Sequence, residues 1–130
     1  MAEPAAVTGL ALLLWQVDPH DQARLTTPFF HAAAAAAMDL QVEIFFSARS
    51  VLLLKPGVAA SLRASQQHDK TVLQAMQEAV AQGAKLLACS DALAAQGLSR
   101  EGLIPECSGH GGAVQFMDRL ADPAWRCLVF

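Results

Sequence analysis

The sequence predicts an α/β fold with a mainly parallel sheet and helices on both faces. Short apolar runs alternate with helix-like stretches along the chain, the pattern of strand–helix–strand units. The clearest run is apolar at successive positions rather than at every second one, as in strands covered on both sides. A length of 130 residues allows one compact domain and leaves no room for two ordinary ones.

The elements follow in order. Residues 1–8 read as a loose tail, and residues 9–130 as the single domain. Gly9 to Val17 is the first strand, and Asp18-Pro19-His20-Asp21 ends it in a loop. Thr27 is placed to cap a helix with Pro28 at its first position. That helix runs through Ala32 to Ala37, whose small side chains favour helix and let it lie close on a sheet. Val42 to Phe46 is the second strand. Ser47 to Ala60 follows, too apolar for a solvated loop and broken at Lys55-Pro56-Gly57; its secondary structure is left open. A helix begins between Ser61 and Asp69 and ends at Gly83, with a stripe of Val72, Met76, Ala79 and Val80. Lys85 to Cys89 is the third strand. Ser90 or Asp91 caps a short helix that Gly97 stops, and Ser99 to Gly102 makes another turn. Pro105 to His110 holds a short fourth strand. Ala113, Phe116, Met117 and Leu120 mark the next helix, stopped at Asp122-Pro123. Ala124 to Phe130 is the fifth strand. No internal repeat is visible.

Composition excludes several classes of function. Hydrophobic residues make up 54% and charged residues 16%, against about 25% charged in a typical domain. Alanine alone supplies 26 residues. So many small apolar side chains with so few charges point to extra buried surface, as at a subunit interface. Nine basic residues, no basic run and a net charge of −3 argue against nucleic acid as a partner. The longest apolar stretch, Val7 to Val17, is too short to span a membrane. Glu3 stands where a signal peptide carries positive charge. Three cysteines, an odd number, argue against a secreted disulfide framework, so the expected setting is the cytoplasm.

Chemistry in such a sheet gathers at the carboxyl ends of strands. Cys89 is the leading candidate, because it lies between a strand and a helix start. Free backbone amides and the helix dipole there stabilise a thiolate, a competent nucleophile and sulfur acceptor. A buried structural thiol fits the same position. Cys107 precedes a glycine-rich turn and is placed either to relay with Cys89 or to pack as a thiol. Cys127 alternates with Trp125 and Val129 in the last strand and reads as inert core or interface. His20 and His110 stand in strand-end loops, where either is placed to assist a thiolate or move a proton. His31 and His68 read as surface residues near helix starts. Gly109-His110-Gly111-Gly112 offers backbone amides to an anion or simply turns the chain. No C-x-x-C is present, so no zinc site is expected. No dinucleotide fingerprint, P-loop or G-x-S-x-G elbow occurs either.

These ordered features carry a resemblance. Val42-Glu43-Ile44-Phe45-Phe46 followed by Ser50-Val51-Leu52-Leu53-Leu54-Lys55-Pro56-Gly57 resembles a strand and V-L-L-L-K-x-G stretch of the DsrE/DsrF-like sulfur-relay family. Gly83 to Cys89 resembles its G-x-K-x-x-A-C strand. Gly97-Leu98, Glu101 to Ile104, Gly111-Gly112, Phe116, Ala121-Asp122 and Leu128 to Phe130 continue the match over nearly the whole chain. The resemblance implies a three-layer α/β/α sandwich on a mainly parallel five-stranded sheet. It also implies a homo-oligomer (dimer, trimer or hexamer) that needs no cofactor. It implies that Cys89 accepts a persulfide and hands it to a small carrier of the DsrC, TusE or TusA kind; His20, His110 and Cys107 are auxiliary candidates by their strand-end positions alone. The chain departs from the family in two ways. Ala92 stands where a serine is frequent, and Asp91 adds negative charge that works against a thiolate. Cys107 has no family counterpart. Two rival functions fit the same residues: a non-enzymatic binding or assembly module with a structural Cys89, and a thiol-redox protein that pairs Cys89 with Cys107.

Overall fold

A computed structural model describes residues 6–65 and 67–130 and, for His68, the backbone alone. Its strands and helices, in chain order, are β1 (Gly9–Leu14), α1 (Thr27–Ala37), β2 (Gln41–Phe46), α2 (Val58–Ser61), β3 (Arg63–Ser65), β4 (His68–Thr71), α3 (Val72–Ala81), β5 (Lys85–Ala88), α4 (Ser90–Ala95), β6 (Cys107–His110), α5 (Ala113–Ala121) and β7 (Trp125–Val129). Short 3-10 turns at Gln22–Arg24, Ala48–Leu54 and Arg100–Gly102 lie between them.

Five strands form one parallel sheet in the order β6-β5-β2-β1-β7. Leu12 pairs with Ile44 on one side and Leu128 on the other, and Ile44 pairs onward with Leu86. The apolar runs alternate faces within this sheet. Leu12, Leu14, Val42, Ile44, Phe46, Leu86 and Ala88 point to one side, where Phe29 of α1, Met76 of α3 and Leu93 of α4 cover them. Ala11, Phe45, Leu87 and Trp125 point to the other side, where Phe116 of α5 covers them. Helices therefore lie on both faces, as the apolar runs require, but the cover is unequal. On the first side Phe29 stacks on Phe46 with ring centroids 6.0 Å apart, and Ala32, Ala35 and Ala36 seat α1 closely on the sheet. The second side relies on α5, and only Phe116 of that helix is buried.

Several boundaries differ from the sequence reading. Strand β1 ends at Leu14 rather than Val17, because its neighbours end there: Leu14 pairs with Phe46, and Leu13 with Val129. The cap position of α1 is Thr26, one residue before Thr27; its backbone is already helical and its side chain makes no capping bond. The segment left open, Ser47 to Ala60, forms the 3-10 turn and then α2. Helix α3 begins at Val72, later than expected, because β3 (Arg63–Ser65) and β4 (His68–Thr71) pair antiparallel ahead of it. That stretch is polar without alternation, so periodicity does not reveal it. His68 accordingly lies in β4, four residues before the start of α3. The true start carried a readable signal: Thr71 Oγ1 accepts from the Gln74 amide at 3.1 Å, and Gln74 Oε1 accepts from the Thr71 amide at 2.8 Å, a reciprocal capping box. At α4 neither Ser90 nor Asp91 is the cap; Cys89 is, and its carbonyl accepts from the Leu93 amide at 3.0 Å. Met1 to Ala5 of the expected tail lie outside the described residues, while Thr8 is tied in by hydrogen bonds to Ala124 and Gln41.

Gly9 shows how tightly the second face is fitted. A Cβ there would lie 2.3 Å from Cδ2 and Cε2 of the buried Trp125 ring. These atoms are the fused edge of the indole, so no flexible tip can yield. Gly9→Ala is expected to cost about 2–3 kcal/mol by overpacking, read as a lower urea midpoint at unchanged slope.

Candidate functional site

The connections leaving β5 and β6 run to opposite faces of the sheet. Strand β5 leads into α4 on the first side, and β6 leads through Gly111 and Gly112 into α5 on the second. Adjacent strands that part in this way open a crevice at their carboxyl ends, the usual ligand position in parallel sheets. Cys89 stands at this point. Its amide donates to the Phe46 carbonyl at 3.0 Å, and the Gly111 amide donates to the Ala88 carbonyl at 3.1 Å. The two loops are thereby fixed on either side of the thiol.

Beneath them runs a cleft of about 300 Å³. Leu13 and Phe45 form its floor on the sheet, and Ala113, Phe116 and Met117 of α5 form its wall. Ser47, Cys89, Gly111 and Gly112 close the end. Gly111 is required there, since a Cβ would lie 2.8 Å from Phe45 Cε1 and 3.0 Å from Leu87 Cβ. Phe45 meets Phe116 edge-on, with centroids 5.4 Å apart, a favoured aromatic geometry.

The other sequence candidates fall in different places. His110 comes close: its Nδ1 lies 3.1 Å from Ser90 Oγ, a hydrogen bond whose direction the imidazole tautomer sets. It borders a second, more open hollow with Asp91, Gln115 and Asp118. This hollow shares Gly111, Gly112 and Ala113 with the cleft. His20 is exposed in the loop after β1 and lines neither hollow. Its backbone amide donates to Asp18 Oδ1 at 2.9 Å. That bond, and Arg49 Nε at 2.6 Å from Oδ2, hold the Asp18 carboxyl below the ordinary carboxylate range.

Cys107 does not reach Cys89. It pairs with Leu86, three residues before Cys89 on the adjacent strand. At about 3.3 Å per residue the two Cα atoms are separated by roughly 10 Å along the sheet, beyond the ~7 Å a disulfide spans. All three thiols are free. The pairing expected of a thiol-redox protein is therefore not assembled, because Cys107 opens its strand while Cys89 follows the end of the neighbouring one. Burial pushes the Cys107 thiol above its ordinary value, and likewise Cys127. A raised folded value means that the stabilising effect of the neutral thiol is whole below the ordinary thiol range and is lost as pH rises through it. Native Cys107 is thus expected to alkylate slowly at neutral pH and faster only under alkaline conditions, as followed by mass mapping with iodoacetamide.

Sequence reasoning missed the polar element that holds the cleft wall. Glu43 is buried on the second face of β2. Arg119 of α5 grips it with two bonds, Nε to Oε1 at 2.7 Å and Nη2 to Oε2 at 3.1 Å, and Gln115 Nε2 lies 3.4 Å from Oε2. The same guanidinium sits 4.3 Å from the centroid of the Trp125 ring. The hydrogen-bonded carboxylate pushes Arg119 above even its ordinary high value. One carboxylate in the strand Val42-Glu43-Ile44-Phe45-Phe46 was the available signal, since a buried charge needs a partner.

Among the described residues, no group of three or more His, Cys, Asp or Glu is arranged to hold a metal ion, and no helix is long and apolar enough to cross a membrane.

A five-stranded parallel sheet with helices on both faces and an apolar cleft at its strand ends places the chain among small three-layer α/β/α proteins. The model of the DsrE/DsrF-like family matches residues 11–130, and the chain belongs to that family, the sulfur-relay family whose motifs the sequence resembles. Two solved structures share the fold. The ychN protein from E. coli aligns with a TM-score of 0.68 at 18% identity, covering 94% of this chain and 99% of that one. Protein of unknown function MTH1491 from Methanobacterium thermoautotrophicum aligns with a TM-score of 0.66 at 16% identity, covering 95% and 98%. At these identities the likeness is one of fold alone. No curated protein matches the chain.

Proposed function

We propose that this protein is a sulfur carrier or small sulfurtransferase that holds sulfane sulfur as a persulfide on Cys89. The observation that carries the reading is the position of Cys89, at the switch point and on the wall of the cleft. The Cys89 thiolate attacks the outer sulfur of a donor persulfide, R–S–SH. The donor S–S bond breaks, its electron pair leaves as R–S⁻, and Cys89–S–SH remains. A partner thiolate then attacks the new outer sulfur and releases the Cys89 thiolate. No external oxidant or reductant enters either step, and no cofactor is needed. The partner fitting this reading is a carrier of the DsrC, TusE or TusA kind, in a reducing compartment such as the cytoplasm. Of the auxiliary candidates, His110 is the one bonded to Ser90, the residue after Cys89.

The test exposes the native protein to a persulfide donor and maps the added sulfur by mass spectrometry. One added sulfur on Cys89 is expected. Its absence, or its appearance on Cys107 or Cys127 alone, removes the proposal.

One observation favours the second reading, an oligomeric binding or assembly module with Cys89 structural. Val114, Met117 and Leu120 on α5 and Val129 on the edge strand β7 are more than half exposed, more apolar surface than one small helix and an edge strand usually leave uncovered. Under that reading Cys89 alkylates only on unfolding, and sedimentation shows a stable homo-oligomer whether or not sulfur is loaded.

A further inference from the structure

We propose that the cleft beside Cys89 selects sulfur compounds whose organic group is uncharged and apolar, and rejects anionic ones. This rests on the reading of Cys89 as a reactive thiol and adds the class of its small-molecule substrate.

Two independent features carry it. The first is the lining. Apart from Ser47, Cys89 and the backbone of Gly111 and Gly112, the cleft is walled by carbon: Leu13, Phe45, Ala113, Phe116 and Met117. About 300 Å³ is the size of a small-molecule site. An ionised group entering it gives up water and finds no charged partner on these walls, a large cost. The second is the charge at its border. The adjoining hollow, which shares Gly111, Gly112 and Ala113 with the cleft, carries the carboxylates of Asp91 and Asp118. Arg119, the basic residue of α5, is turned away and occupied by Glu43. An approaching carboxylate, sulfonate or thiosulfate meets repulsion first and desolvation second. An alkyl or aryl persulfide or disulfide meets neither.

The chemistry that reports this is a disulfide exchange. The Cys89 thiol releases its proton to solvent, the thiolate attacks one sulfur of Ar–S–S–Ar, and the S–S bond breaks. Cys89–S–S–Ar forms and Ar–S⁻ leaves. Two aromatic disulfides of matched size serve as probes: neutral 6,6′-dithiodinicotinamide and the dianionic 6,6′-dithiodinicotinate. Rates at Cys89 are followed in the native wild-type protein by quenching and mass mapping, so no cysteine needs replacing. Each rate is divided by that of the same cysteine in the urea-unfolded chain, which removes intrinsic reactivity.

The expected normalised preference for the neutral probe is about tenfold or more, given the desolvation cost. Met117→Glu, at a half-exposed position on the wall that tolerates charge, is expected to slow the neutral probe several-fold. Equal normalised rates for the two probes overturn the proposal, as does a preference for the anionic one. Neither result touches persulfide loading, which the mapping of added sulfur decides separately.

Discussion

Cys89→Ser is expected to abolish sulfur loading altogether while leaving the fold intact. A hydroxyl at this position is far less acidic and less polarisable than a thiol, and an attack on sulfane sulfur by oxygen yields no persulfide. The structural cost is small. Cys89 is half-buried, serine is nearly isosteric, and the backbone bonds to Phe46 and Leu93 do not involve the side chain. A change within about 1 kcal/mol in unfolding free energy follows from such a substitution. Intact-mass measurement after persulfide exposure separates the variants: Cys107→Ser and Cys127→Ser keep the added sulfur, and Cys89→Ser loses it. Full loading of Cys89→Ser would mean that the strand-end thiol is a packing residue.

Glu43→Ala is expected to cost about 3 kcal/mol, the lower end of the range for breaking a buried ion pair. The lower end applies because the Arg119 side chain keeps 28% exposure while that of Glu43 keeps 9%. Removing the carboxylate leaves the guanidinium over Trp125 without its anionic partner and Gln115 without its acceptor. Urea unfolding measures the loss. A double variant, Glu43→Leu with Arg119→Met, is expected to recover much of it, since an apolar pair of similar volume often replaces a buried ion pair without penalty. If Glu43→Ala unfolds at the wild-type midpoint, the pair does not hold α5 to the sheet. Because α5 forms the cleft wall, the single variant is also expected to weaken the discrimination between neutral and anionic probes.

The sheet was legible because β1, β2 and β5 are dense apolar runs, and burial on both faces leaves little else such a run can be; β7, an edge strand, was legible from Pro123 before it and Trp125, Leu128 and Val129 within it. Strand β6 was readable through Pro105 and the glycines that bound it. The hairpin β3–β4 was not legible: Arg63 to Thr71 is polar apart from Ala64, so the stretch carries no hydrophobic period. Cys89 stood out as a thiol at a strand end, and the structure sets it at the point where two connections part. Its surroundings were hidden for a different reason. The cleft joins Leu13, Phe45, Ala113 and Phe116, which are far apart in sequence, and only strand order brings them together. The distance between Cys89 and Cys107 was hidden likewise, because the register of β5 against β6 sets it.

The strand order also fixes when the site can exist. β1 is flanked by β2 and by β7, and β7 follows every other strand in the chain. As the chain is made, β1, β2 and β5 can assemble with α1 and α3 on the first side. Ala11, Leu13 and Phe45 then lie bare on the second side until α5 and β7 emerge. Parallel pairing across such a sequence separation is slow to close, and a bare apolar floor is a liability while it lasts. Cys89 is present early, but the pocket that shields it is completed last. A nascent chain caught in that interval carries Cys89 beside an unprotected hydrophobic face, and the cleft exists only once α5 has folded back and β7 has paired with β1.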